Sequence, residues 1–132
     1  MHVHHVRKRQ REAGLTALVA ALAFVDKTGA RVGEAEMYQL KGELTLQTKV
    51  QSPRSEVQEE AEACFHKAID IARKQSAKSL ELRAVMSLSR LWQSQGKKKE
   101  AHEMLAAIYN WFTEGFDTKD LQEAKTLLQE LN

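Results

Sequence analysis

A small residue, a large one four positions on and an apolar one three further recur in this chain at an interval that suits stacked helices. Ala61-x-x-x-Phe65-x-x-Ala68 returns forty residues later as Ala101-x-x-x-Leu105-x-x-Ile108. A weaker copy stands upstream at Ala17-x-x-x-Ala21-x-x-Phe24. Positions i, i+4 and i+7 share one face of a helix. The small residue lets a partner helix approach, and the larger ones fill the space beside it, as in the second helix of a helical hairpin. Repetition on this scale implies hairpins stacked into a quasi-one-dimensional solenoid. Scaffolds of that kind bind other proteins.

A chain of 132 residues fits one domain, so the whole of 1–132 is taken as a single helical-repeat domain, with 1–12 a candidate disordered, basic and His-rich end. Six glycines and one proline suit helices better than a sandwich or barrel. The net charge of +2 supplies no global field for nucleic acid. A single cysteine, Cys64, cannot form an internal disulfide, which is compatible with a reducing, cytoplasmic setting. Arg7-Lys8-Arg9-Gln10-Arg11 followed by the mostly apolar run Leu15–Val25 imitates a secretion signal. Asp26-Lys27 follows where a cleavage site would be needed, and the run carries the Ala17, Ala21, Phe24 spacing, so a buried repeat helix is the preferred reading. The run is too short to span a bilayer.

Six helices are expected. The first runs from about Val6 to Lys27 and stops at Thr28-Gly29; the second covers Glu34–Gln47, with Met37, Leu40 and Leu44 on one face. The stretch around Pro53 is the clearest loop, and Ser55-x-x-Gln58 has the form of a capping box opening a third helix to about Gln75. A fourth spans Ser79–Gln95 and ends at Gly96. A fifth spans Lys98–Phe112, with Trp111 continuing the apolar face of Ala101, Leu105 and Ile108. Gly115 breaks the chain, and Asp117 or Thr118 caps a sixth helix reaching Leu131, with polar residues outward as a solenoid cap requires.

Several stretches resemble the C-terminal tetratricopeptide-repeat region of large bacterial signalling proteins. They are Glu34-Ala-Glu-Met-Tyr-Gln-Leu-Lys-Gly-Glu-Leu44, Ala61-Glu-Ala-Cys-Phe-His-Lys-Ala-Ile-Asp-Ile-Ala-Arg73, Ala77–Ala84 continuing to Leu91-Trp92, and Trp111–Leu121 with Glu123-Ala124-Lys125. Such proteins join a nucleotide cyclase or DNA-binding domain to an AAA/STAND-type ATPase and then to helical repeats. The resemblance covers Gly14 to Leu131. It implies an all-α, right-handed superhelix of tetratricopeptide-like hairpins, about two and a half repeats plus a capping helix. It also implies a regulatory, protein-binding role without catalysis, because ATPase and cyclase lie in other parts of those proteins. Lys41 stands before the helix-crossing Gly42 where that family has leucine, Ser89 replaces the next crossing glycine, and Val85 replaces an aromatic residue.

Catalytic and cofactor signals are weak. Gly96-Lys97-Lys98 lacks the phosphate-loop pattern, since Leu91 and Lys98 occupy the places of its first glycine and its Ser/Thr. His2, His4 and His5 could hold a metal adventitiously, but a chain end seldom pre-forms a site. His66 and His102 stand apart among charges, and Cys64 adjoins Phe65 as a small hydrophobe would. No catalytic residue, metal ligand or cofactor is therefore assigned. The methionines Met37, Met86 and Met104 fit core filler or adaptable contact surface. A basic N-terminus attaching to nucleic acid or a membrane surface is one alternative function; no aromatic residue interleaves with Arg7–Arg11 to stack on bases. A repeat domain sensing a small ligand in its groove is another.

Two surfaces are expected to carry contacts. In stacked hairpins the first helices lie side by side on the concave face. Aligning Gly42 with Ser89 sets Glu36 beside Arg83 and Glu43 beside Arg90, with Gln39 and Met86 between and Gln47 and Gln93 nearby. The two Glu–Arg pairs are either solvated inter-repeat salt bridges, or the eight residues line a groove whose arginines hold a partner's carboxylate. Leu15, Leu18, Val19, Leu22 and Val25 cover more than one face of the first helix. They are expected to form a homodimer contact or a seat for another domain of the same system.

Overall fold

The structure is a computed structural model that describes residues 2–28, 33–48 and 53–132. Its six described helices are α1 (His2–Thr28), α2 (Glu34–Thr48), α3 (Arg54–Lys74), α4 (Lys78–Ser94), α5 (Lys98–Tyr109) and α6 (Lys119–Glu130). The protein is all-α over these residues, and no strand occurs among them. No helix among the described residues is long and apolar enough to cross a membrane. The chain divides into two compact units, Met1–Ala68 and Ile69–Asn132, with the boundary inside α3.

In the first unit α1 packs against α2. The helix starts at His2 rather than near Val6, so the stretch considered as a disordered end is helical from its second residue. The side chains of His2, His4, His5 and Arg7–Arg9, and the expected stop at Gly29, lie outside the described residues. The packing face of α1 is not the one the repeat motif predicted. Ala17 is exposed, whereas Leu18 and Leu22, one turn apart, are buried. A leucine pair removes far more apolar area from water than an alanine pair, at roughly 25 cal/mol per Å², so burial follows the leucines; Phe24 lies outside the described side chains. On α2 the expected Met37–Leu40–Leu44 face is likewise displaced. Leu40 is 47% exposed, and the buried positions are Ala35, Gly42, Thr45 and Thr48 together with Glu34. The cause is Phe65 of α3, fully buried and seated in the notch at Gly42. α3 begins at Arg54, with the Pro53 carbonyl accepting from Val57 N at 3.1 Å, so Ser55 lies inside the first turn and is not the cap.

The second unit contains the remainder of α3 with α4, α5 and α6. α4 packs on α5, and α6 packs on both. Both stronger copies of the repeat motif are core, one in each unit: Ala61, Phe65 and Ala68 of the first unit and Ala101 and Leu105 of the second are at 0% exposure, and Ile108 of the second is at 4%. Each large apolar side chain so buried contributes roughly 1.5–3 kcal/mol. α6 buries Leu121, Ala124 and Leu127 on one face and leaves Gln122, Lys125, Thr126 and Gln129 exposed. The α3–α4 and α4–α5 turns share one geometry. Ala77 N donates to Ala72 O and Ser76 N to Arg73 O in the first; Lys97 N donates to Trp92 O and Gly96 N to Gln93 O in the second. This is the paired bonding that closes a helix through a left-handed residue. Gly96 fills that position with φ 80°, and Ser76 fills it with φ 54°.

Candidate partner-binding site

α4 is buried almost all the way round. From Glu81 to Leu91 only Arg83 and Arg90 are exposed. Seven residues apart, they share one face. Each meets a carboxylate of α6. Arg83 Nε donates to Asp120 Oδ2 at 2.8 Å, across 37 positions of sequence. Arg90 Nη2 lies 3.7 Å from Glu123 Oε2, and Lys119 Nζ lies 3.8 Å from Glu123 Oε1. A cleft of about 550 Å³ opens beside Arg83, floored by Leu82, Phe112 and Leu121, with Lys119 and Asp120 at its side. A second, of about 420 Å³, lies beside Arg90, Glu123 and Leu127.

The sequence-derived groove is only partly of this form. Arg83 and Arg90 are exposed as expected, and Gln93 is half-buried. Met86, placed between them as groove surface, is instead a core residue at 3% exposure, because between Glu81 and Leu91 α4 opens to solvent only at the two arginines. On α2, Glu36 and Gln47 are exposed, and Gln39 and Glu43 are half-buried; Gln39 Nε2 donates to Glu43 Oε1 at 3.4 Å along the helix. The acidic partners supplied by α6 were missed by an alignment that looked only upstream, to α2.

The apolar surface assigned to α1 is smaller than expected. Leu18 and Leu22 are core, while Leu15 is half-buried and Val19 is 45% exposed. These last two border a shallow cleft of about 250 Å³ with Thr16, Lys41 and Glu60. Val25 lies outside the described side chains.

A further cluster was not recognised from sequence. α5 ends at Tyr109 with Asn110 as its cap, so Trp111 does not continue the buried face but stands 56% exposed. Trp111 and Phe112 meet edge-on at 5.2 Å between ring centroids, Tyr109 and Phe116 lie at 5.8 Å, and Phe116 is 44% exposed. Lys78 Nζ sits 5.5 Å from the Trp111 ring centroid. A signal was available: Tyr109, Trp111, Phe112 and Phe116 are half of the chain's aromatic residues, gathered into one short stretch.

Among the described residues no group of three or more His, Cys, Asp or Glu has metal-holding geometry. His66 has a neighbour after all, with its Nε2 3.3 Å from Glu62 Oε2 one turn back on a half-exposed surface. Cys64 is buried, in keeping with its reading as a small hydrophobe. Comparison with protein-family models, with curated proteins and with solved structures returned no match.

Proposed function

We propose that the chain is a non-catalytic, tetratricopeptide-like repeat scaffold that binds a protein partner through the α4–α6 face, as a regulatory module of a bacterial signalling or transcription-related ATPase system. The observation that carries this reading is the exposure of Arg83 and Arg90 alone within the otherwise buried stretch Glu81–Leu91 of α4. Burying a helix and leaving two arginines in view serves recognition better than stability, because exposed ion pairs contribute only about 0–1 kcal/mol. Two features support the repeat reading. Both hairpin crossings use a small residue: Gly42 against Phe65 in the first unit, and Ser89, whose Oγ lies 3.5 Å from the Ala101 carbonyl, in the second. α6 also packs on α4 and α5 together, as the first helix of a next repeat would.

The test is affinity capture with the wild-type chain and with an Arg83→Glu, Arg90→Glu double variant, followed by reconstitution with the purified captured protein. A partner that binds the wild type directly and is lost by the variant, at unchanged melting temperature, supports the reading. A partner indifferent to both substitutions, or ATP hydrolysis or cyclic-nucleotide formation that stays with the protein through two purification steps, would sink it.

A further inference from the structure

We draw no further inference here: the strongest candidate, the exposed aromatic turn of Trp111 and Phe116 between α5 and α6, carries nothing, because cations and carboxylates border it alike and nothing in the structure shows what covers it.

Discussion

The ring of Phe65 occupies the space a side chain on Gly42 would need. A Cβ built at Gly42 would stand 2.5 Å from Phe65 Cε1 and 2.8 Å from Cδ1. Phe65 is fully buried, so the ring cannot swing clear. Gly42→Ala is therefore expected to destabilise the protein by about 1–3 kcal/mol, the overpacking strain exceeding the helix-propensity gain. Gly14 in α1 supplies the control. Its Cβ would meet nothing nearer than Leu44 Cδ1 at 3.9 Å, so Gly14→Ala should stabilise by roughly 0.5–1 kcal/mol. Urea denaturation of the two variants gives the comparison, and equal signs would refute it.

The two matched turns of the second unit differ at one position, and the difference has a predicted sign. Ser76 takes a left-handed conformation at φ 54° where Gly96 takes it at φ 80°. An L-residue carries a cost of roughly 1–2 kcal/mol there. Ser76→Gly should raise stability by up to about 1 kcal/mol, and Gly96→Ala should lower it by a similar amount. No atom lies within 4 Å of a Cβ at Gly96, so the loss there would be conformational and not steric. Melting temperatures moving in the same direction for both variants would contradict this.

The ion pairs of this unit are unequal. Glu81 has a side chain 7% exposed, while Asp120 is at 29%. Removing Arg73 leaves a buried carboxylate without its hydrogen bond, so Arg73→Ala should cost about 1–3 kcal/mol. Removing Arg83 exposes Asp120 to water, so Arg83→Ala should cost about 0–1 kcal/mol despite the shorter 2.8 Å contact. Chemical denaturation that ranks Arg83 above Arg73 would overturn the argument from burial.

On α1 the neighbours Leu18 and Val19 should respond oppositely to charge. Leu18→Glu places a carboxylate among core residues and is expected to unfold the first unit or cost several kcal/mol. Val19→Glu, at a position 45% exposed, should leave the melting temperature within about a degree or two. Light scattering on the folded Val19→Glu variant against the wild type also tests whether this helix mediates a dimer; a dimer through α1 should dissociate.

The helices were legible because small–large–apolar spacing at Ala61, Phe65, Ala68 and at Ala101, Leu105, Ile108 has only one helical face to occupy, and all six residues are core. The Ala17 copy misled because its second position is Ala21, too small to fill a contact, beside the stronger Leu18–Leu22 pair. The α2 face was misjudged because its burial is dictated by Phe65, which comes from another helix and leaves no periodic trace in α2. At the site, periodicity was carried past Tyr109 into Trp111. The helix ends there with i to i−3 bonds, Trp111 N to Ile108 O and Phe112 N to Tyr109 O, and no propensity scale registers that stop. The arginines could be found by spacing. Their partners could not, because Asp120 reaches Arg83 only through the packing of α6 on α4.

The turn bearing Trp111 and Phe116 is tied down by one threonine. Thr118 donates to the Gly115 carbonyl twice, from its backbone N at 2.9 Å and from Oγ1 at 2.7 Å, and Oγ1 accepts from Leu121 N at 3.5 Å. Gly115, at φ 78°, reverses the chain just before it. A loop fastened in this way at the start of α6 has lost its rotational freedom before any ligand arrives. Any association at this turn would surrender little further entropy and need no slow closure step.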